Sequence, residues 1–494
     1  MRLTELLEGS EHVRPPEALQ ADPEIAGIEI DSRRVQPGTL FVALVGAAAD
    51  GHRFVDQAIA RGAAAVLVNR GWHGESSVPV CVADDTRLRL GELASHFYGA
   101  PSEELDVVGV TGTNGKTTIT YLLEAVFGHV DRIPGVIGTV NYRWPGHAEP
   151  ALNTTPESLV IQRMLRRMVD AGVDSVAMEV SSHGLATHRL RGTRFDVGIF
   201  TNLTQDHLDF HGDMASYRAA KHRLFSELLV PGSSAVVNVD DEHGASFVAA
   251  TRDAEVVTYS AAGADADWRC IAWTQDVDGT HMAIEHAGTR FDLSTRLLGG
   301  FNVSNVLATV AAASVLGIDP MDCADALHDL RGVPGRLQYL GGDGKPRVFV
   351  DYAHTPDALG RALDALRPLA RRRLVVVFGC GGNRDREKRP RMGRIAFAAA
   401  DFVVVTSDNP RDEPPEDIIA DVRRGLEGPP TDDLGSGAGW SAVLDRREAI
   451  LRTIAEADPD DVILVAGKGH ETYQEALGVR VELDDAAVVA EALR

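Results

Sequence analysis

Three times in this chain a short, unbroken apolar run ends in a glycine-rich turn full of polar side chains. Val107–Val110 leads into Thr-Gly-Thr-Asn-Gly-Lys-Thr, Leu374–Phe378 into Gly-Cys-Gly-Gly-Asn-Arg-Asp, and Val462–Ala466 into Gly-Lys-Gly-His-Glu. Such a run suits a strand buried on both faces, as in a parallel sheet with helices on either side. Ligands of these sheets gather where the carboxyl ends of the strands meet their loops, so the turns mark candidate sites. Helical patterns lie between the runs. Thr117–Phe127 carries apolar Leu122, Leu123, Val126 and Phe127, and Val303–Leu316 is alanine-rich. The expected fold class is α/β.

A chain of 494 residues is too long for one hydrophobic core. Turn residues cluster at Gly99-Ala100-Pro101-Ser102 and again at Gly332-Val333-Pro334-Gly335, the usual punctuation between units. Three units are expected, over residues 1–103, 104–334 and 335–494. The Gly-, Pro- and Asp-rich stretch 427–439 reads as a mobile surface loop inside the third. The net charge of −23 argues against nucleic-acid and anionic-membrane partners, whose surfaces would repel the chain as a whole. No apolar run reaches the roughly 20 residues of a membrane span. The opening Met-Arg-Leu-Thr-Glu-Leu-Leu-Glu mixes acids where a secretory signal would be basic and then apolar. Cys81, Cys270, Cys323 and Cys380 are far apart, with no Cys-x-x-Cys. That excludes a disulfide framework or zinc ribbon and fits a reducing cytoplasm.

The strongest local signal is Thr111-Gly112-Thr113-Asn114-Gly115-Lys116-Thr117-Thr118. Its glycines let successive N–H groups face one anion, and the following helix N-terminus adds partial positive charge. Lys116 is placed to reach the β- and γ-phosphates and the Thr117 hydroxyl to ligate Mg²⁺. The first glycine of the general phosphate-loop pattern would fall at 110, where this chain has Val110. The competing reading is a tight strand-to-helix turn with a solvent-exposed lysine. The loop alone does not say whether the phosphate energy drives a motor, a switch or a ligase.

The shortened loop Gly-Thr-Asn-Gly-Lys-Thr-Thr resembles the signature of the Mur ligase family. Four further stretches resemble it in the same order: Met178–Gly184, Asn202–Asp209, Phe301–Asn305 and Asp351–Pro356. Asp408-Asn409-Pro410-Arg411 and Gly467–Glu471 extend the resemblance over nearly the whole chain. The resemblance implies a nucleotide-sugar-binding N-terminal domain, a central P-loop ATPase domain and a Rossmann-like C-terminal domain. It also implies addition of meso-diaminopimelate to UDP-N-acetylmuramoyl-L-alanyl-D-glutamate in peptidoglycan precursor synthesis. ATP would be co-substrate and Mg²⁺ cofactor, with small-molecule partners only and a monomeric chain. A carboxylate does not accept an amine at neutral pH, so such an enzyme first makes an acyl phosphate, a step governed by positioning and charge neutralisation.

The resemblance gives Lys116, His207 and Lys221 catalytic roles, and Thr117, Glu179, His207 and Lys221 the metal. Glu179 ends the apolar run Val176–Met178, where a carboxylate packs poorly but a hard oxygen ligand suits Mg²⁺. His207 is otherwise a capping or core histidine satisfied by Asp206, with His211 and Asp209 structural. A lone helical lysine such as Lys221 is ordinarily a solvated surface group. The family carbamylates the matching residue, which requires an amine neutral enough to react with CO₂. Asn302 and Asn305, three apart on one helical face, suit a planar base, though Asn302 would equally serve as a helix cap. Arg336, Asp351 and His354 match family residues that reach the nucleotide from the third domain, making domain closure a condition of catalysis.

By the same resemblance, Ser32, Thr154, Thr155, Ser181 and Arg189 hold the UDP-precursor. Thr187 stands where some relatives carry glutamine. Arg384, Asp408, Asn409, Pro410, Arg411, Gly467 and Glu471 match the diaminopimelate site. The set is chemically coherent, since arginine binds a carboxylate bidentately and acidic side chains accept from an ammonium group. Arg411 argues against a lysine-adding relative, because lysine has no distal carboxylate. Asp31-Ser32-Arg33 together with Asp408–Arg411 argues against a folylpolyglutamate-type ligase. The rival from another class is a P-loop switch or motor, which would turn over ATP with no small-molecule acceptor.

Overall fold

The computed structural model describes residues 1–15, 22–46, 49–341, 344–431 and 439–494. Part of the stretch expected as a surface loop, 432–438, lies outside the described residues. Among the described residues three large sheets follow one another along the chain, each with its own apolar packing, and a two-stranded hairpin adds a fourth.

The first sheet has four parallel strands, Gly27–Glu29, Thr39–Val42, Ala63–Asn69 and Val80–Ala83. The second has eleven. At its centre the phosphate-loop strand Asp106–Thr111 lies between Phe195–Phe200 and Ser175–Glu179, parallel to both. Antiparallel pairings extend its edges: Thr280–His286 lies between Trp268–Gln275, itself parallel to Glu255–Ser260, and Thr289–Thr295 on one side, and Asn141–Trp144 and His147–Pro150 lie on the other. Apolar side chains cover both faces of the centre. Val108, Val110 and Ile199 pack with the helices Lys116–His129 and Gly300–Val315, and Val107, Val176 and Met178 with Ser158–Asp170. This double covering is why these strands read as continuous hydrophobic runs.

The third sheet repeats the logic with six strands, of which Arg347–Asp351, Val462–Ala466, Leu374–Phe378, Phe402–Val405 and Gly439–Ala442 are mutually parallel. Because the strands point the same way, the loops 352–355, 379–384, 406–411 and 467–471 all leave from one edge. Both turn clusters expected between units lie between sheets. Ala100 takes a left-handed conformation before the short helix Pro101–Glu103, and Gly332 and Gly335 have positive φ. All three expected runs are strands, and the expected helices begin slightly earlier, at Lys116 and Gly300. No helix among the described residues is long and apolar enough to cross a membrane.

Candidate active site

The phosphate loop closes against the neighbouring strand end. Gly112 has φ of 147°, and a Cβ there would come within 1.9 Å of the Thr201 hydroxyl oxygen, so only glycine fits the turn. Asn202 steadies the loop, with its carbonyl accepting from Thr113 N–H at 2.9 Å and its Oδ1 from Asn114 N–H at 3.0 Å. Gly115, also at positive φ, lies against Asn305, whose Oδ1 would be 2.5 Å from an added Cβ. Thr118 is buried in the first turn of the helix.

Two lysines converge on one oxygen of this loop. Lys116 donates to the carbonyls of Gly112 at 2.9 Å and Thr113 at 2.8 Å. Lys221, on the helix Met214–Arg223 and only 1% exposed, donates to the same Gly112 carbonyl at 2.8 Å. Burial, and then the neighbouring Lys116 cation, push the Lys221 amine well below its ordinary range. Lys116 is lowered by burial as well, opposed by Glu179 and Asp206. Lys221 is therefore not the solvated surface group that a lone helical lysine ordinarily is, because its helix packs that face against the loop.

Glu179 closes the other side. It ends its strand only 1% exposed, accepting from Thr117 Oγ1 at 3.0 Å and from both the N–H and the hydroxyl of Thr139, at 2.8 and 2.9 Å. From across the chain Arg336 donates to Thr117 Oγ1 at 3.0 Å while its guanidinium stacks 4.8 Å from the Tyr352 ring. Asp351 accepts from Leu337 and Ala353 N–H at 2.6 and 2.7 Å, and burial raises its carboxyl. His354 Nδ1 donates to the Tyr352 carbonyl at 2.9 Å, and the imidazole is lowered by burial and then by Lys388. His207 has φ of 54° and stands before the short helix Leu208–His211 without capping it through its side chain. Its ring lies 3.5 Å from Asp206, beside His183, and burial holds it below the ordinary histidine range. Burial works to raise Asp206, but His207 and His354 outweigh it and hold the carboxyl low. His211 meets Ser182 Oγ at 3.0 Å.

Asn302 and Asn305 are both buried and joined, Asn305 Nδ2 donating to Asn302 Oδ1 at 2.9 Å. Asn302 is not the helix cap, since Gly299 holds that position and the Asn302 amide donates to Leu298 O.

The expected precursor residues of the second sheet gather behind Glu179. Thr155 Oγ1 donates to Glu179 O at 2.8 Å and accepts from Ser181 N–H at 2.9 Å, and Arg189 donates to Thr155 O at 3.0 Å. Thr154 meets Thr139, and Ser181 Oγ caps the helix Ser182–Ala186. Ser32 sits apart in the first unit, buried and donating to Gln57 Oε1. Thr187 donates back to His183 O.

The third sheet's carboxyl edge forms a second pocket. Gly381 lies between two cationic side chains, so that a Cβ there would be 2.8 Å from Arg411 Nη1 and 3.8 Å from Arg384 Cγ. Arg411 has φ of 53° and donates to Gly382 O at 2.7 Å, and the Pro410 carbonyl packs on Gly382. Two acids stand on the same group of loops. Asp408 accepts from Asn409 N–H at 2.6 Å and lies against Gly467, where an added Cβ would be 2.7 Å from its Oδ2. Glu471 accepts from Asn409 Nδ2 at 2.8 Å. All seven residues expected to read the amino acid therefore lie on these loops.

Sequence reasoning missed Thr139, Thr201, Lys468 and Arg446. Thr139 and Thr201 follow strands beside the phosphate loop, a placement visible only once strand order is known. Lys468 and Arg446, both buried, lie beneath the second pocket. All four cysteines are buried free thiols.

Family models agree with this architecture. The Mur ligase family catalytic domain matches residues 24–98, the Mur ligase middle domain 110–313, and the Mur ligase glutamate ligase domain 335–469. The UDP-N-acetylmuramoyl-L-alanyl-D-glutamate–2,6-diaminopimelate ligase of Gloeobacter violaceus is 46% identical over 475 residues, covering 96% of this chain and 94% of its own. The ligase of the same name from Halalkalibacterium halodurans is 42% identical, with 96% of each chain covered. A solved structure of a ligase of that name superposes with a TM-score of 0.71 at 34% identity, covering 100% of this chain and 99% of the other. The MurF ligase of Thermotoga maritima, solved in complex with ADP, shares the fold at 21% identity and a TM-score of 0.62, with 94% of this chain and 95% of the other covered. With three domain models in order and identity of this level over nearly its full length, the chain belongs to the Mur ligase family.

Proposed function

We infer that this chain is an ATP-dependent, amide-forming ligase that joins meso-diaminopimelate to UDP-N-acetylmuramoyl-L-alanyl-D-glutamate in peptidoglycan precursor synthesis. The observation that carries the substrate choice is the second pocket, where Arg384 and Arg411 flank one glycine and Asp408 and Glu471 stand on the same group of loops. A substrate with an ammonium group and a carboxylate at its far end needs both signs there. The enzyme acts as a monomer in the cytoplasm, with domains over 1–103, 104–334 and 335–494.

The γ-phosphoryl group passes to the precursor's free carboxylate, the amine of diaminopimelate attacks the acyl phosphate, and inorganic phosphate leaves. Lys116, released from its loop carbonyls, neutralises the transferring phosphate. Gly112, Thr113, Asn114, Gly115, Thr117 and Thr118 cradle the phosphates, Asn302 and Asn305 orient the base, and Arg336, Asp351 and His354 complete the nucleotide site from the third domain. Ser32, Thr154, Thr155, Ser181 and Arg189 hold the precursor.

Thr117 and Glu179, 3.0 Å apart, are a hard-oxygen pair. No group of three or more His, Cys, Asp or Glu is gathered as a metal cage among the described residues. A sparse set of this kind fits Mg²⁺, which keeps several waters and takes the rest of its shell from phosphate. Thr117, Glu179, His207 and a carbamylated Lys221 would hold it, and the ion would neutralise developing phosphate charge. The buried, low-pKa Lys221 amine supports carbamylation, which needs the neutral form.

The deciding experiment measures phosphate release with ATP, the UDP-dipeptide and a panel of amino acids. Release should require both the dipeptide and diaminopimelate. Turnover of ATP without either acceptor would instead favour a switch or motor.

A further inference from the structure

Lys468 belongs to none of the roles assigned above, yet it is fully buried at the point where three segments of the second pocket meet. Its Nζ donates to Glu471 Oε2 at 3.1 Å, to Asn409 Oδ1 at 3.2 Å and to the carbonyl of Tyr473. An ammonium group has three donors, and here all three are spent on protein acceptors. Lys468 therefore has nothing left to offer a substrate, and its effect must pass through the groups it holds.

Those groups are two of the residues that face the amino acid. Asn409 Oδ1 accepts from Lys468 and also from Glu475 N–H at 3.0 Å. With the oxygen committed to two donors, the amide has one orientation, and its Nδ2 must point at Glu471, which it reaches at 2.8 Å. Glu471 Oε2 thus receives both Lys468 and Asn409, and among the described residues no hydrogen bond reaches its Oε1. Held through one oxygen by two donors, the carboxylate keeps its other oxygen open to a ligand and in a fixed orientation. Tyr473 opens the hairpin Tyr473–Ala476 and Val479–Glu482, which pairs with Arg411 through Arg411 N–H to Glu475 O at 3.0 Å and Leu477 N–H to Arg411 O at 2.7 Å. One buried cation thereby ties Glu471 and Asn409 to the hairpin that pairs with the loop carrying Arg411.

We propose that Lys468 is a positioning residue for amino-acid recognition, which aims one oxygen of Glu471 at the substrate's ammonium group and locks the Asn409 amide that supports it. The proposal rests on the reading of this pocket as the amino-acid site. A bond between two charged groups in a buried setting is directional and rigid when every donor is used, so loss of the lysine should free both side chains to turn.

The test is steady-state kinetics on Lys468→Met, of similar length and without donors, beside Glu471→Gln and the double variant. For Lys468→Met, KM for diaminopimelate should rise about tenfold or more, while KM for ATP and for the UDP-dipeptide stays within about twofold. A purely structural lysine would instead lower kcat or shift all three KM values together, and that result overturns the proposal. Should Lys468→Met not fold, the double variant leaves neither charge buried without its partner and is compared with Glu471→Gln alone. Near-equal KM for diaminopimelate in those two is expected, because Lys468 acts chiefly through Glu471 and the Asn409 oxygen keeps its bond from Glu475 N–H. A further tenfold rise would mean that Lys468 touches substrate itself and would also overturn it. Wild type is assayed in parallel with diaminopimelate and lysine. A wild type that ignores diaminopimelate breaks the substrate reading, whereas one that uses it beside an unchanged Lys468→Met breaks this one.

Discussion

Two ammonium groups on a single carbonyl oxygen, those of Lys116 and Lys221 at Gly112, are an unstable arrangement unless one gives up its charge. The proposed carbamylation of Lys221 would resolve it by replacing a cation with an anion. We expect a carbamate carbon in ¹³C NMR of enzyme equilibrated with labelled bicarbonate. Lys221→Ala should be nearly inactive and partly rescued by short carboxylic acids. An unlabelled lysine together with an active Lys221→Ala enzyme would refute this. Arg411 is the second informative residue. Lysine and diaminopimelate both keep an ammonium group at the far end and differ there by one carboxylate. Lysine would leave the Arg411 charge unpaired, at a cost on the order of 2–5 kcal/mol. Wild type should strongly prefer diaminopimelate, and Arg411→Ala should lose most of its kcat/KM for that substrate with little change for lysine, at saturating ATP and dipeptide. Full preference retained by Arg411→Ala would place specificity elsewhere. At this scale the sequence was legible wherever a residue sat inside a motif next to a glycine turn. It was not where a residue works from behind. Lys468 lies in a stretch singled out for its neighbours, and only its burial shows what it does.

Elements were legible in proportion to how completely they are buried. The strands Leu374–Phe378 and Val462–Ala466 have every residue buried, and their unbroken apolar runs give them away. The antiparallel strands from Trp268 to Thr295 were not expected. They are half exposed, with Ile271 and Trp273 on the surface, and their mixed composition imitates a loop. Connections between elements were also invisible. Arg446, opening the helix Arg446–Ala455, pairs with Asp485 at the start of Asp485–Ala492, both side chains fully buried, and donates to Ala466 O at 2.9 Å. It fastens two helices to the strand end that launches the Gly467–Glu471 loop. Arg446→Leu should destabilise the protein by about 3–5 kcal/mol, because Asp485 is left buried without a partner. Arg446→Leu with Asp485→Leu should recover most of that loss in urea melts followed by Trp fluorescence. Should the single variant melt like wild type, the pair is not what holds these helices.

Across the whole molecule, the second and third units meet at a few specific contacts, and catalysis needs both. Arg336 reaches Thr117, and Asn114 Nδ2 approaches Asp357 Oδ2 at 3.5 Å. Leu298 and Phe301 pack into the core of the third sheet beside Leu359 and Leu363. Gln275 bridges the units, its Nε2 donating to Ala365 O at 2.8 Å and its Oε1 accepting from Gly299 N–H at 2.6 Å. Gly299 caps the helix that carries Asn302 and Asn305, so one side chain links the base-binding helix of the central unit to the helix Pro356–Leu366 of the third. Each such bond is worth about 1 kcal/mol net, and losing the bridge between units should shift an open–closed equilibrium about fivefold toward open. Gln275 is not among the residues of the three proposed substrate sites, so its replacement should act on the arrangement of units rather than on any one affinity. Gln275→Ala should therefore lower kcat for ligation several-fold with KM values little changed, in the manner of a closure defect. Spin labels on the two units, read by pulsed electron resonance with nucleotide and precursor bound, should show a broader distance distribution than in wild type. A variant with lowered kcat and an unchanged distribution would mean that Gln275 acts within the central unit alone. One with unchanged kcat would mean that the remaining contacts suffice to hold the units closed.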